Sequence, residues 1–436
     1  MTIEHNVSTL GHDWQLGGSE GGIDACDYAG GDFYGGFMQQ SFICKYYNNI
    51  TPNKPFCYHT SRCDDRLTLH TVTRSAEQLT IYGICSIMHN GAFNICDAMN
   101  PDGTITHAIY RNELRNAFKA VEGYEKYVSG NICANIAILY DNELKVNDNY
   151  IQSPLNVAEI MREKNIAFDV IGNRNIKGLK TPILSINDVF GLTDTDAVNI
   201  REYVEKGGKL FITGKIGHPD VEKLVGVKVK GKSDYMHPYL VPTDIGEEYF
   251  VGFSKESPYP VNRFAWESDV VADNAEILAT LTYPYTKPGD YEFAAIHSNP
   301  PGIHTDMPAV IRRKVGKGEV MWVAAPLEMM SATYCRQTIE ALIRSMIEED
   351  VFTGNAPYFV EILTWEKDGH RYLGIINQQE KMPPYPISDI WVKLPGKYPD
   401  AKSLCPDVKE PTVEICNEFT TLKTDKLNLF QIYQLD

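Results

Sequence analysis

Four short apolar runs between residues 135 and 214 decide the fold of the largest part of this chain. They are NIAILYD (135–141), AFDVIG (167–172), TPILSIND (181–188) and KLFITG (209–214). Each run has the length of a buried strand. One segment with helical spacing lies between the first and second runs, and another lies between the third and fourth runs. These segments are SPLNVAEIMREKN (153–165) and TDTDAVNIREYVEKGG (193–208). Strands joined by helical crossovers lie parallel in one sheet. The pattern therefore predicts a doubly wound α/β domain.

Both helical segments carry end signals. In the first, Ser153 is placed to cap the helix and Pro154 to occupy its first position. In the second, acidic residues fill the first turn and Gly207–Gly208 end the helix. These signals predict two helices with defined boundaries, as a crossover connection requires.

The regular pattern loosens from about 218 to 300 and then resumes. Residues 308–326 predict a strand pair around Gly316–Lys317–Gly318, and residues 335–349 predict a helix. The last stretch alternates apolar and polar residues across a turn at Asp368–Gly369, which predicts a small antiparallel β-sandwich. We therefore expect a doubly wound domain over 131–352 and a sandwich over 353–436.

Residues 1–130 predict part of a β/α barrel. Strand candidates at 22–32, 54–62 and 92–103 end in polar residues, and a helical stretch at 75–91 is ended by Gly91. The polar residues at the strand ends are Asp27, Asp32, His59, Arg62, Asp97 and Asp102. Barrel enzymes place their chemistry at these strand ends, and a whole barrel takes about 250 residues. We expect an incomplete barrel with strand edges that need a partner.

The amino-acid composition argues against several classes of binding partner. The 436 residues include 41 Lys+Arg and 57 Asp+Glu, for a net charge of −16. No basic stripe offsets this charge, so nucleic acid and anionic membrane surfaces are not expected partners. The N-terminus shows no signal-peptide pattern, and no apolar run reaches transmembrane length. We expect a cytoplasmic protein.

The ten cysteines are scattered and none forms C-x-x-C. We interpret them as reduced thiols. Only Cys57 and His59 have a short Cys/His spacing, which is a weak zinc signal, so we expect neither a metal site nor a cofactor.

Four segments of the first 130 residues carry a family resemblance. They are DYAGGDFYGGFMQQSFICKYYNNITPNKPFCYHTSRC (27–63), LTLHTVTR (67–74), GAFNICDAMNPDGTI (91–105) and AIYRNELRNAF (108–118). They resemble bacterial α-L-fucosidase-like glycoside hydrolases, in which a β-galactosidase trimerisation domain and a C-terminal sandwich follow the barrel. The likeness covers essentially the whole chain in the same order, and beyond residue 130 it is mainly architectural.

The resemblance implies a retaining glycosidase that uses one carboxylate as nucleophile and another as acid/base. It also implies a middle domain that serves assembly, so we expect a homo-oligomer, either a dimer or a trimer. Two departures argue against activity of the isolated chain. The sequence starts where the family's barrel is about half built, and Cys57 stands near a position where the family is expected to have a glutamate.

Several residues are candidates for contact with a carbohydrate. Retaining hydrolysis needs two carboxyls about 5–5.5 Å apart, and Asp32 and Asp97 lie on separate strand tips. Asp97 on an apolar strand would need a sugar hydroxyl or an ion pair with Arg62 or Arg74. The other candidates are His59, Arg62, His70 and Asp102, each of which has a purely structural alternative. The aromatic residues Trp14, Phe33, Tyr34, Phe37, Tyr46 and Tyr47 suit sugar stacking, although core packing is the favoured interpretation.

The middle domain also resembles flavodoxin-like and class I glutamine amidotransferase folds. No Cys follows KLFITG, and neither G-x-S-x-G nor G-x-G-x-x-G follows any of its strands. The middle domain therefore lacks the residues that a glutaminase, an esterase or a dinucleotide-binding domain needs.

Two hypotheses remain. One is a glycoside hydrolase-like protein that acts on α-L-fucosides or β-galactosides only when a missing N-terminal half-barrel is supplied, either by a separately encoded chain or not at all if the gene is a truncated copy. The other is a non-catalytic oligomerisation or carbohydrate-binding protein.

Overall fold

The computed structural model describes residues 2–7, 20–63, 69–97, 99–105, 108–141, 151–189, 191–286 and 299–436. Two compact units account for the chain. Unit 1 comprises residues 1–135, 161–172 and 349–436, and unit 2 comprises 136–160 and 173–348. The predicted domains 1–130, 131–352 and 353–436 stay predictions. The two units describe how the chain packs and do not test those boundaries.

Unit 1 begins with a small parallel sheet and its helices. In chain order the elements are β1 (Gly30–Asp32), α1 (Phe37–Ile50), β2 (Phe56–Ser61), α2 (Ala76–Met88), β3 (Gly91–Cys96), α3 (Ala108–Val121) and β4 (Asn131–Ile132). The sheet has the order β1-β2-β3, with both pairs parallel. The described residues therefore form no closed barrel, as expected for an incomplete one.

The first predicted strand is wrong over most of its length. Glu20–Ala25 form a 3₁₀ helix, closed by the Cys26 N–H donating to the Ile23 carbonyl, and only Gly30–Asp32 are extended. Asp27 therefore precedes β1 instead of ending a strand. Ile23 is the buried apolar side chain of this turn, so the segment lacks the alternation that a strand needs.

Gly91 does not end α2 but begins β3. The helix ends at Met88, and Asn90 then takes a left-handed conformation with φ of 69°. A Cβ at Gly91 would lie 2.5 Å from the Phe56 ring, so this close approach requires glycine. The Ser75 side chain caps α2 by accepting from the Gln78 N–H.

The next elements in the chain are β5 (Ile136–Leu139), α4 (Gln152–Glu163) and β6 (Phe168–Ile171), of which β6 belongs to unit 1. Unit 2 continues with further elements. They are β7 (Ile183–Asn187), α5 (Asp194–Glu205), β8 (Lys209–Thr213), α6 (Pro219–Val225), β9 (Val227–Lys232), β10 (Tyr239–Pro242), β11 (Tyr259–Pro260), β12 (Trp266–Val270), β13 (Ala275–Pro284), β14 (Pro301–Val315), β15 (Gly318–Val323) and α7 (Thr333–Met346).

Unit 2 is built on one mixed sheet whose strands have the order β11-β10-β13-β14-β15-β8-β7-β5. The pairs β15·β8, β8·β7 and β7·β5 are parallel, as the repeated strand and helix pattern predicts. The remaining pairs, β15·β14, β14·β13, β13·β10 and β10·β11, are antiparallel. The predicted strand pair around residues 316–318 is confirmed as β14 and β15, and Thr193 and Asp196 form a capping box at α5.

The predicted cap at Ser153 is wrong. Helix α4 begins one residue earlier, at Gln152, and the Ser153 hydroxyl donates to a carboxylate oxygen of Glu328. Ser153 is the second residue of the helix and not the residue before it, so its hydroxyl is not at the position that accepts from the free N–H groups of the first turn.

The C-terminal part of unit 1 consists of two antiparallel sheets. Its strands are β16 (Thr353–Gly354), β17 (Val360–Lys367), β18 (His370–Asn377), β19 (Trp391–Pro395), β20 (Ala401–Ser403), β21 (Thr412–Cys416), β22 (Phe419–Lys423) and β23 (Phe430–Leu435). The sheets have the orders β16-β19-β22-β21 and β20-β23-β18-β17-β4. Side chains from both sheets share one apolar cluster, including Ile362, Leu373, Val392 and Leu422. The predicted turn at Asp368–Gly369 is confirmed, with positive φ at both residues.

A buried ion pair joins the two parts of unit 1. Lys45 on α1 places Nζ 2.5 Å from Oε1 of Glu361 on β17, and the two side chains are 1% and 2% exposed. Ser41 also donates to Glu361 Oε1, and Lys45 Nζ lies 2.9 Å from Nε2 of His89. Burial alone would raise the pKa of Glu361, but Lys45 and His89 outweigh it and hold that pKa well below its usual range. The Glu361 carboxylate therefore stays charged inside the protein.

We expect Lys45→Met and Glu361→Gln each to destabilise unit 1 by about 3–5 kcal/mol, because each leaves a buried charge without its partner. The double variant should lose clearly less than the sum of the two. Hydrogen exchange of α1 and β17 amides under native conditions would report unit 1 separately from unit 2. Lys206→Met is the matched control, because the Lys206–Glu202 pair is exposed and should contribute little. Additive losses in the double variant would contradict the coupling.

Candidate functional site

The side chains of β2 alternate between two faces of the parallel sheet. Tyr58 faces the helices, with its ring 5.4 Å from the Phe33 ring and 6.3 Å from the Tyr82 ring between centroids. Cys57 and His59 point to the opposite face, as the two-residue period of a strand requires. We call this the polar face and define it by Asp32, Cys57, His59 and Cys96. In a closed barrel the corresponding face would line the interior.

Asp32 and His59 are register partners on β1 and β2. Oδ1 of Asp32 lies 3.6 Å from Nδ1 of His59, and Oδ2 accepts from Nδ2 of Asn6 at 2.9 Å. The hydrogen bond with His59 is the main cause that lowers the pKa of Asp32 to about 2, and the same contact raises the pKa of His59 to about 12. The structure thus brings together two of the predicted residues.

Arg62 and Asp97 form a second polar pair at the end of the sheet. Arg62 Nε lies 2.7 Å from Oδ1 of Asp97, and its two other nitrogens donate to the carbonyls of Val72 (3.1 Å) and His70 (2.8 Å). The arginine side chain is only 1% exposed. The predicted ion pair is confirmed, and Arg62 ties the turn at residues 70–72 to the end of β3.

Asp97 has an oxygen left over. Oδ2 is shielded from solvent and accepts no hydrogen bond from any residue that the structure describes. A carboxylate oxygen without a donor is costly in such a position. Oδ2 of Asp97 is therefore a buried acceptor whose hydrogen-bonding capacity is unused within the described residues.

His70 and Asp102 lie in the loops beyond these strand ends. His70 Nε2 is 3.3 Å from Oδ1 of Asn100. Asp102 Oδ1 accepts from the backbone N–H of Thr104 at 3.0 Å and from its hydroxyl at 2.7 Å, and these bonds lower the pKa of Asp102. Among the described contacts, none joins Asp102 to Asp32 or His59. Asp102 stabilises its own turn, and its role in sugar contact stays a prediction.

Most of the aromatic residues considered for sugar stacking lie in the core, which is the interpretation that the sequence favoured. Phe33, Phe37, Tyr46 and Tyr47 are all buried. Tyr34 is half-buried, and Trp14 lies outside the described residues.

The sequence reasoning missed Cys96 and Glu4. Cys96 Sγ donates to Oδ1 of Asp32 at 3.3 Å, and Glu4 Oε1 lies 3.0 Å from Nε2 of His59. Cys96 precedes Asp97 at a strand end, a position that could have marked it. Three groups in the described part of the chain have the residue types and spacing for a metal ion. They are Asp32–His59–Cys96, Glu4–Cys57–His59 and Cys44–Cys85–His89.

A separate polar cluster lies at the carboxyl ends of parallel strands in unit 2. Glu328 is fully buried after β15, and its Oε1 accepts from Thr213 at 2.7 Å as well as from Ser153. Burial raises the pKa of Glu328 to about 7, partly offset by the bonds from Ser153 and Thr213. Ligands of open α/β sheets commonly bind at this edge.

Comparison with solved structures identifies a shared fold. The chain matches α-L-fucosidase isoenzyme 2 from Paenibacillus thiaminolyticus with a TM-score of 0.77 and 13% identity, covering 95% of this chain and 66% of that one. It matches the β-galactosidase from Bacillus circulans sp. alkalophilus with a TM-score of 0.67 and 14% identity, covering 96% and 61%.

A catalytic mutant of a GH42 β-galactosidase from G. stearothermophilus gives a TM-score of 0.66 at 14% identity, covering 95% of this chain and 60% of that one. No family model and no curated protein matches the sequence. The chain thus spans about three fifths to two thirds of the length of these structures. No helix in the described ranges combines the length and apolar character needed to cross a membrane.

We expect Glu328→Gln to remove a pH dependence of stability. A carboxyl whose pKa rises from 4.5 to about 7 on folding binds its proton more tightly in the folded state. Its stabilising effect is complete below pH 4.5 and is lost as the pH rises through 7. The stability of Glu328→Gln relative to the wild type should therefore improve by about 3 kcal/mol between pH 4.5 and pH 8.

Urea unfolding at a series of pH values measures this difference. The control is Glu202→Gln, which changes an exposed carboxylate on α5 and should follow the wild type closely. Parallel curves for the wild type and Glu328→Gln would contradict a raised pKa.

Proposed function

Because the chain has a glycoside hydrolase-like fold, we propose that it is a protein of the α-L-fucosidase or β-galactosidase type that binds a sugar at the ends of β1–β3. The observation that carries this proposal is Oδ2 of Asp97, a shielded acceptor beside the Arg62 guanidinium. A carboxylate and an arginine together offer an acceptor and donors for neighbouring hydroxyls. A sugar hydroxyl that donates to Oδ2 would supply its missing hydrogen bond.

We further propose that the isolated chain does not hydrolyse glycosides. Retaining hydrolysis needs one carboxyl as nucleophile and a second as proton donor, about 5–5.5 Å apart. On this side of the sheet Arg62 engages Asp97 and His59 engages Asp32. Asp32, whose pKa is lowered to about 2, is ionised at neutral pH and therefore cannot protonate a leaving group.

A further set of β/α units would complete the site. Strand β3 is the last strand of its sheet within the described residues. A groove of about 710 Å³ beside it is lined by Phe93 of β3 and by Phe118 and Val121 of α3. An apolar groove next to an open strand edge fits a neighbouring strand and its helix. We propose that further β/α units of a barrel occupy this groove.

Assembly through unit 2 is a second candidate function. Five large hydrophobic side chains of this unit are at least half exposed, with Val251 at 83%. The others are Met236, Ile245, Val271 and Tyr285. Exposed apolar residues that form a contiguous patch mark surfaces that bind another chain. We propose a homo-oligomer, a dimer or a trimer, formed by this unit.

We expect the wild-type chain to bind L-fucose or D-galactose in isothermal titration calorimetry. Asp97→Asn should weaken binding about tenfold or more, because it replaces a charged acceptor. Asp102→Asn is the matched control and should bind normally, since Asp102 stabilises only its own turn. Melting curves would verify that each variant folds. Absence of binding to both sugars, or full affinity in Asp97→Asn, would argue against the site.

The same preparation should not release nitrophenol from nitrophenyl α-L-fucoside or β-galactoside. Mixing it with a chain that supplies the remaining β/α units should restore turnover, since two usable carboxyls can then face each other. Turnover by the isolated chain would refute the proposed dependence on a second half.

Light scattering coupled to size exclusion should give two or three times the chain mass of 49.1 kDa. Val251→Asp should shift the protein toward the monomer, because it places a charge on the proposed interface. Tyr385→Asp provides a control at an exposed apolar position of unit 1. A monomeric wild type at micromolar concentration would exclude this assembly.

A further inference from the structure

Three neighbouring strands bring Asp32, His59 and Cys96 together on the polar face. Asp32 ends β1, His59 lies opposite it on β2, and Cys96 ends β3. One ligand atom from each of the three lies within 4.8 Å of the other two. A carboxylate, an imidazole and a thiol are the three side-chain types that zinc prefers.

The separations also fit a metal ion. Oδ1 of Asp32 lies 3.6 Å from Nδ1 of His59 and 3.3 Å from Sγ of Cys96. Tetrahedral zinc with its usual bond lengths places neighbouring ligand atoms about 3.3–3.6 Å apart. Little movement would therefore bring the three atoms to bonding distance of one ion.

The outer contacts of this group match those of metal sites. A histidine ligand commonly directs its second nitrogen to a carboxylate, which fixes the orientation of the ring. Here Nε2 of His59 lies 3.0 Å from Oε1 of Glu4, an ion-pair contact without hydrogen-bond geometry, and 3.0 Å from Sγ of Cys57. The second oxygen of Asp32 likewise accepts from Asn6, which leaves Oδ1 directed at His59 and Cys96.

We propose that Asp32, His59 and Cys96 bind one divalent transition-metal ion, with zinc as the expected metal and a fourth position open to water or another ligand. Binding displaces the proton of the Cys96 thiol and any proton on His59 Nδ1 to solvent. One carboxylate and one thiolate then balance the two positive charges of the ion. The proposal goes beyond sugar recognition, and no sugar is needed to test it.

A rival arrangement shares the same imidazole. Glu4 and Cys57 both lie 3.0 Å from Nε2 of His59, closer than tetrahedral ligand atoms stand. Glu4 also lies in residues 2–7, a segment with no regular secondary structure apart from an isolated bridge at Asn6. We therefore assign Glu4 to orienting His59 and Cys96 to the metal. The two thiols, at opposite nitrogens of one ring, allow an experiment that separates the arrangements.

The experiment titrates Co²⁺ into reduced, metal-free full-length chain and follows the absorption spectrum. One equivalent of Co²⁺ should produce the cysteinate-to-cobalt charge-transfer band, and Zn²⁺ should abolish it by displacement. Cys96→Ser should lose the band, whereas the matched variant Cys57→Ser should keep it. Glu4→Gln should keep the band and bind about 10–100-fold more weakly.

Absence of the band in the wild type would overturn the proposal, as would its survival in Cys96→Ser or its loss in folded Cys57→Ser. Alkylation of the wild type by iodoacetamide gives a second measurement that needs no variant. Zn²⁺ should slow the modification of Cys96 but not of the exposed Cys416. Equal modification of Cys96 with and without Zn²⁺ would also overturn it.

Discussion

The charge pair between Lys45 and Glu361 is the constraint on which the architecture of unit 1 depends. It joins a helix near the N-terminus to a strand more than 300 residues later, at a point with almost no access to water. Each charge is tolerable there only because the other is present. Phe168 of β6 packs under the same ammonium group, 4.4 Å from its ring centroid, so a third part of the chain meets at this point. Helix α1 is thereby fixed from its buried side.

Because α1 is fixed, it holds β1–β3 in place. The two-residue period of the strands then determines which side chains lie on the polar face. Every second side chain of β2 enters the aromatic packing against the helices, which leaves Cys57 and His59 on the other face. Each polar group there is met by one from another strand or loop: Asp32 by His59, and Asp97 by Arg62. The unmatched oxygen of Asp97 and the close grouping of Asp32, His59 and Cys96 are two features of this part of the chain. Both proposals about ligands follow from them.

Unit 2 also collects polar side chains at the ends of its parallel strands. Its parallel strands end at a common edge, and their final residues again collect polar groups, here Thr213 and the buried Glu328. Within the described residues Oε1 of Glu328 accepts from the hydroxyls of Ser153 and Thr213, while Oε2 is buried without a hydrogen-bond partner. A carboxyl buried in this way favours its protonated form.

The sequence by itself determined the local elements. The runs that become β5, β7 and β8, the acidic first turn of α5 and the turn at Asp368–Gly369 could all be predicted, because periodicity and end signals lie within about a dozen residues. It also indicated the pairing of Arg62 with Asp97, since a charged residue on an apolar strand needs a partner. Tertiary structure alone decided that Gly91 begins a strand, because the Phe56 ring lies against it, and that Ser153 serves Glu328 instead of a helix end. It alone placed Cys96 beside Asp32 and Lys45 beside Glu361, because the energy of a buried polar group depends on neighbours that the chain brings from far along its length.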